Sequence, residues 1–419
     1  MTAKMRLTNC LKENSRTLKM LLVALGILYL FGSTLAKHND YWWITNISMA
    51  FAVDPLHFMA ETQNVAYPPT FYALQGAWLK LGSYLFHYNL TINYDLQNST
   101  FYSYRLTRFG LFPFWGMVPI LAALFLLVGA SYTALKNKWL SLLCFGPITF
   151  VSVILMGQID VVSILFIFVS LILMQRALKA EKYFSLLLLA YLGLGVSVQF
   201  KTYGGLLLPA YLIYTIALTK DKKLDLTKSF FMFVTCLATF LVAALLVWAP
   251  YPGWFSVIIL HGKSNYLFQI PSLLFHVPVW IVGYAFILCY MAVRVLRKPK
   301  RALQDDRYFV YYNFAIVAWF FIAVFTNPQW WMFLTPVALL ALDKFQNKSS
   351  ILFYIVISTV YLFYPMYWNW GSLLPSYYLP MLAPVVATYA FVILAALLLF
   401  WILVLKREFD SMGRRVTSA

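Results

Sequence analysis

The sequence predicts an all-α fold: a polytopic bundle that crosses a membrane about twelve times, forming a single transmembrane domain over residues 1–419. Three observations predict it. Hydrophobic residues make up 62% of the chain and charged residues only 11%, where soluble domains carry about 25% charged residues. So few charges cannot cover a water-facing surface, which leaves lipid to cover it. The mean hydropathy is +0.75. The third observation is that the basic residues fall on alternate sides of the apolar runs.

A crossing helix needs about 20 apolar residues, fewer where the flanking side chains snorkel. Such runs lie at 18–36, 107–133, 139–156, 161–175, 184–200, 203–219, 228–249, 274–293, 308–326, 329–342, 350–365 and 380–405. The first follows Lys12, Arg16 and Lys19 and shows no small-residue cleavage site, so it reads as a retained signal anchor. Lys and Arg set the direction. The N-terminal tail, Lys136/Lys138, the loop Arg176 to Lys182, Lys220 to Lys228, Arg294 to Arg307, Lys344/Lys348 and the C-terminal tail hold 26 of the 32 basic residues. All fall on one side if both termini are cytoplasmic. The remaining six are Lys37, Lys80, Arg105, Arg108, Lys201 and Lys263.

This split decides the stretch from Tyr67 to Phe86. Counted as a thirteenth span, it would put the two termini on opposite sides. It also carries Pro68, Pro69, Gln75 and Lys80. Residues 37–106 are therefore expected to form one long first outer loop, with 68–86 a helix in or dipping into the interface. The net charge of +18 would suggest nucleic acid in a soluble protein. Here it comes from the positive flanks of the spans, so no nucleic-acid partner is expected. Cys10, Cys144, Cys236 and Cys289 are scattered singly and fit neither a disulfide framework nor a metal-ligand spacing.

Of fourteen acidic residues, nine lie beside Lys and Arg on the basic side, as solvated loop charge. The other five are Asp40, Asp54, Glu61, Asp95 and Asp160. Asp40 follows the first span directly, in Lys37-His38-Asn39-Asp40-Tyr41-Trp42-Trp43. A carboxylate at the membrane surface among aromatics is partly desolvated, which lifts its pKa toward that of a working base. The plainer reading is a helix N-cap beside interface anchors. Asp160 stands at the start of a span, in Gly157-Gln158-Ile159-Asp160; it is either an N-cap or an ionisable group at membrane depth with a function. Asp54-Pro55 and Tyr67-Pro68-Pro69 bracket His57 and Glu61 and read alone as turn and helix-start signals. His38, Asp40, His57 and Glu61 fit no zinc template. Lys201, in Gln199-Phe200-Lys201-Thr202-Tyr203, is a cation on the side that lacks cations. It is either a snorkelling lysine or an anion clamp at headgroup depth, to which His261, Lys263, Arg105 and Arg108 could add.

Together these motifs resemble the GT-C superfamily of polytopic membrane glycosyltransferases, which use a polyprenyl-phosphate-linked sugar donor. The shared pattern is an acid just after the first span (Asp40), a long first outer loop (37–106), a Pro-Pro helix within it (Tyr67-Pro68-Pro69-Thr70) and an acid at the outer end of a later span (Gly157-Gln158-Ile159-Asp160). Gln199-Phe200-Lys201 before Leu206-Leu207-Leu208-Pro209 looks like the family's lysine before a Leu-rich span. Asn327-Pro328-Gln329-Trp330-Trp331 resembles a late outer-loop element of the bacterial branch. The loop at 37–39 lacks a doubled acid of the Asp-x-Asp kind, so a divalent metal is not indicated, and neither is another cofactor. The sequence also lacks the C-terminal soluble domain of the oligosaccharyltransferase subunits, which argues against transfer of a glycan en bloc.

The resemblance implies transfer of a monosaccharide from a polyprenyl-phosphate carrier to a glycan, lipid or cell-envelope acceptor, by direct displacement at the anomeric carbon on the outer face of the cell membrane. Asp40 and Asp160 would then be catalytic. Lys201, Asp54, His57, Glu61, Tyr67, Gln158, Arg105, Arg108, His261, Lys263 and Gln329 would bind substrate. The rivals are a lipid or polysaccharide transporter (flippase) and a polysaccharide polymerase. A transporter predicts paired ionisable residues at the bilayer midplane and broken spans. A polymerase places its large loop late in the chain.

Overall fold

The structure is a computed structural model that describes residues 3–33, 45, 48, 69–86, 111–246, 279–324, 328–364 and 382–415. Among these residues there is no strand. The helices are α1 (Ala3–Gly32), α2 (Pro69–Phe86), α3 (Leu111–Ala134), α4 (Asp160–Lys179), α5 (Phe184–Val198), α6 (Leu208–Asp221), α7 (Leu226–Leu245), α8 (Val279–Arg297), α9 (Pro299–Gln304), α10 (Asp306–Ala323), α11 (Leu334–Phe345), α12 (Lys348–Tyr361) and α13 (Leu382–Arg415). Within the described residues, every apolar run read from the sequence coincides with helical structure. Eight stretches among the described residues are long and apolar enough to cross a membrane: Ser15–Gly32, Phe114–Ala134, Lys138–Leu155, Asp160–Lys179, Thr202–Asp221, Leu226–Leu245, Trp280–Arg297 and Val385–Ser411. Phe184–Val198 and Ser349–Tyr361 are apolar but shorter. The architecture is that of a multi-pass helical membrane bundle.

Three of the runs are not plain α-helices. Residues 139–156 form a 3-10 helix (Lys138–Phe145), a single α turn (Pro147–Thr149) and a π-helix (Phe150–Leu155). Pro147 supplies no N–H, so it can only open a helical turn, and Gly146 before it is extended. A 3-10 helix (Thr202–Leu207) precedes α6, and another (Pro328–Phe333) precedes α11. Short 3-10 and π segments inside longer helices often mark functional positions.

Core and rim differ sharply. From Tyr308 to Ala318 every residue of α10 is buried, and α11 is buried from Leu334 to Asp343. A helix apolar all round belongs inside a bundle. These two runs, expected from the sequence to cross, are not among the eight above; they carry Tyr308, Tyr311, Tyr312, Asn313 and Asp343, which protein and not lipid surrounds. The outer helices instead expose large apolar side chains: Met20 and Phe31 on α1, Phe230 and Phe231 on α7, Phe286 on α8 and Phe400 on α13. In lipid those faces need no protein cover.

Four of the helix starts at the basic end are capped by side chains. Asn137 accepts from the Trp139 N–H, Asp225 from Lys228, Asp305 from Arg307 and Asn347 from Ser349. The Asp225 carboxyl is held below its ordinary range by the Lys228 backbone N–H and then by the Lys228 ammonium.

The helix expected at 68–86, after the Pro-Pro pair, is α2. It buries Phe71, Tyr72, Gln75 and Leu79 and exposes Leu74, Leu81, Tyr84 and Leu85. Trp78 and Trp115 stack at 4.4 Å between centroids, and each indole N–H donates to the other's backbone carbonyl, at 2.8 and 2.9 Å. Gln75 Nε2 donates to the Gly116 carbonyl at 3.1 Å. These contacts fix α2 against the first turns of α3.

Candidate functional site

α4 and α5 run antiparallel and pack along their lengths. The start of α4 therefore meets the end of α5, at the end of the pair remote from Arg176, Lys179 and Lys182. Gly157 is the break that opens α4. Its φ of +59° lies in the left-handed region, which glycine enters without steric cost. The Met156 N–H donates to the Val151 carbonyl at 2.9 Å, closing the π turn, and the Gln158 N–H donates to Ser152 at 3.0 Å. Ile159 then takes the N-cap position with no side-chain cap, and Asp160 becomes the first helical residue.

Asp160 is therefore not the cap of its helix. Its carboxylate is fully buried, and Lys201 Nζ stands 3.4 Å from Oδ1. Lys201 is only 8% exposed, so it does not snorkel to the surface. The chain reaches this position by leaving α5 after Val198. The Lys201 N–H still donates to the Ser197 carbonyl at 3.0 Å, while Lys201 itself is extended, at φ −159° and ψ 140°. Ser163, one turn into α4, donates to the Ser197 carbonyl at 3.0 Å and ties the two helix ends together. Phe166 and Phe200 stack beside it at 6.0 Å.

The 3.4 Å separation exceeds the roughly 2.7–2.9 Å of a charge-assisted hydrogen bond. The ammonium also lies over two ring faces, Tyr203 at 5.8 Å and Trp330 at 5.7 Å. Those rings meet edge to face at 5.5 Å, and Phe333 stacks on Tyr203 at 5.1 Å. Behind them Trp331 packs on Phe321, Tyr361 and Tyr364. Tyr361 bonds Ser152 and lies within electrostatic reach of Asp160. The aromatic wall thus comes from the 3-10 helices Thr202–Leu207 and Pro328–Phe333, two of the segments that interrupt longer helical runs.

Of the residues expected to act, the structure brings together Asp160 and Lys201, with Gln158 fully buried two residues before Asp160. Gln329 belongs to the 3-10 helix that supplies Trp330. Asp40, Asp54, His57, Glu61, Tyr67, Arg105, Arg108, His261 and Lys263 lie outside the described residues. Tyr203, Trp330, Tyr361 and Ser163 were not singled out from the sequence. Tyr203 and Trp330 stand inside motifs that were, two residues after Lys201 and one after Gln329, so their adjacency to unusual polar residues was the available signal. Ser163 and Tyr361 gave none. Among the described residues, no three His, Cys, Asp or Glu side chains gather as a metal-ligand group.

This centre is also braced by α2. Thr70, at the start of α2, donates to Gln199 Oε1, and Gln199 Nε2 donates to the carbonyls of Ala243 and Ala244 at 2.7 Å each. Gln199 thereby links α2, the end of α5 and the end of α7, two residues before Lys201. The chain matches no known protein-family model, no curated protein and no solved structure. The functional reading therefore rests on this geometry and on the sequence motifs.

Proposed function

We propose that this chain is a GT-C-type hexosyltransferase that moves a monosaccharide from a polyprenyl-phosphate carrier to a glycan, lipid or cell-envelope acceptor on the non-cytoplasmic face of the cell membrane. The observation that carries the reading is the buried Asp160–Lys201 pair within an aromatic wall, at the end of the α4–α5 pair remote from the basic loops. A cation held at that depth suits the charge that builds on a leaving lipid phosphate. Asp160 lies buried against Lys201 and acts through it, fixing the ammonium's position. Trp330, partly exposed beside the cation where Tyr203 is buried, suits contact with a sugar ring. Asp40 remains the candidate base for the acceptor hydroxyl.

The test is transfer of labelled sugar from polyprenyl-phosphate monosaccharides by the purified protein in liposomes. Wild-type protein transfers sugar, and Lys201→Met lowers turnover by about 10²–10³-fold, the cost of losing one preorganised stabiliser of developing negative charge. Asp40→Asn lowers it by about 10²–10⁴-fold, the usual cost of losing a general base. Folded wild-type protein that transfers no sugar from any such donor overturns the reading.

One observation favours a second reading. A buried pair of opposite charges beside helices that change register is also the construction of a transporter site. A transporter moves lipid-linked saccharide across the liposome bilayer without consuming the donor. The same preparation separates the two outcomes.

A further inference from the structure

At the basic end of the bundle the helices line a concavity of about 430 Å³. Its volume falls in the range of about 300–1,000 Å³ typical of small-ligand sites. Five of its lining residues are cations: Lys136, Lys179, Arg301, Arg307 and Lys344. Two are carboxylates, Asp305 and Asp306, and both are engaged. Asp305 takes Arg307 Nε and Nη2 on its two oxygens, each at 2.7 Å. Asp306 sits between Lys179 at 2.9 Å and Lys344 at 3.4 Å. Asp343, behind Lys344 at 3.7 Å, accepts the Asn137 N–H at 2.9 Å. Even with Asp343 counted, the cations outnumber the carboxylates by two among the described residues.

The carboxylates order the cations without neutralising the cavity. Asp306 draws the last residue of α4 and the last turn of α11 to the first residue of α10. Lys136 enters from the turn after α3, and Arg301 from α9. One wall is apolar: Phe409 packs edge to face on Tyr308 at 4.3 Å. Phe409 belongs to the last turns of the apolar stretch Val385–Ser411, and Lys179 ends the apolar stretch Asp160–Lys179. The cavity thus lies at the depth of the lipid headgroups, with cations to one side and the end of a crossing helix to the other. Basic pockets between membrane helices at that depth bind anionic headgroups.

We propose that this cavity binds a phosphate-bearing anion, an acidic phospholipid headgroup or a soluble phosphate, with Lys136 as the cation it recruits. It is separate from the Asp160–Lys201 centre and does not depend on the function proposed for that centre. A ligand here joins α3, α4, α9, α10 and α11 across their basic ends.

Ligand retention by the purified full-length protein, read by native mass spectrometry and by thermal unfolding, tests the proposal. The probes are phosphatidylglycerol, phosphatidylcholine with the same chains, and inorganic phosphate. Wild-type protein retains phosphatidylglycerol over phosphatidylcholine and unfolds at a higher temperature with it, the preference weakening as salt rises. K136Q loses at least tenfold in apparent affinity for the anion, and K136R keeps it. Stabilisation by inorganic phosphate, with the two lipids equal, identifies the soluble source. Equal retention of both lipids with no response to phosphate overturns the proposal, as does a K136Q protein that binds like wild type. Should K136Q fail to fold, wild-type selectivity among the three probes decides alone.

Discussion

Thr70, the second residue of α2, hydrogen-bonds Gln199, 129 residues later and two before the buried lysine. A loop that the sequence sets apart by its length is thereby joined to the end of the helix that presents Lys201. Thr70→Val keeps the shape and removes the donor. Gln199 Oε1 then stays buried without it, at a cost of about 1–3 kcal/mol. Thr70→Ser retains the bond. Thermal unfolding in detergent should rank wild type and T70S together above T70V; equal midpoints for all three would contradict the contact.

The Asp160–Lys201 pair should show strong energetic coupling. Removing one partner of a buried ion pair costs about 3–5 kcal/mol, because the other charge is left without compensation. D160N and K201M should each destabilise by that order, and D160N/K201M should cost well under their sum. A double-mutant cycle measures the difference; a coupling energy below about 0.5 kcal/mol would show that the two charges do not interact.

At Gly195 α5 meets α7 closely. A Cβ there would stand 2.6 Å from the Phe240 carbonyl oxygen and 2.7 Å from Ala243 Cβ. Small residues permit such approach between membrane helices. Gly195→Ala should cost about 1–3 kcal/mol by overpacking, and it should disturb the Gln199 bonds to Ala243 and Ala244. Gly129 on α3 has nothing within 4 Å of a Cβ. Gly129→Ala should therefore be neutral or stabilise, by up to about 1 kcal/mol. Similar unfolding midpoints for the two variants would count against the close contact.

Asp225 gives a pH-dependent cap. Its carboxyl is lowered in the folded chain, so the unfolded chain takes up the proton first as pH falls. Its stabilising effect is fully present above the ordinary Asp value of about 3.9 and is lost as pH falls through the folded value. At neutral pH, Asp225→Ala should speed amide exchange in the first turn of α7, at Lys228 above all. The ratio of variant to wild-type rates should approach one in acid; a ratio that is the same at both pH values would remove the carboxylate from the cap.

A topology with both termini cytoplasmic puts residues 37–106 outside. A cysteine placed at Asn98 should react with an impermeant reagent added from the non-cytoplasmic side. Labelling only after the cytoplasmic face is opened would invert the orientation and move the Asp160–Lys201 end to the cytoplasm.

Hydropathy made the apolar runs legible, because burial in lipid demands long apolar stretches whatever the details of packing. Lys201 and Asp160 were legible for the complementary reason: a charge with no neighbouring counter-charge in sequence, at membrane depth, needs a partner in space. Their partnership with each other was not legible. It depends on α4 and α5 being clasped by Ser163 and the Ser197 carbonyl, and neither serine differs in sequence from a core serine. The 3-10 and π segments were hidden as well. Phe150 to Leu155 is as apolar as an α-helix, and hydropathy does not record which carbonyl an N–H reaches. The plain crossing helix read at 329–342 instead begins as a 3-10 turn and continues as an α11 buried within the bundle.

α4 carries an ion pair at each extremity: its first residue, Asp160, faces Lys201, and its last, Lys179, holds Asp306. At about 1.5 Å per residue its 20 residues measure about 30 Å, close to the hydrocarbon thickness of a bilayer. A piston stroke of α4 relative to both partners would rupture the two contacts in the same movement. The helix therefore works as a gauge rod of fixed length, setting the distance between the two charged layers. Two of the rim helices carry a tie of the same kind: Arg294 on α8 holds Asp410 on α13 at 3.3 Å, so those two also keep a fixed register with each other.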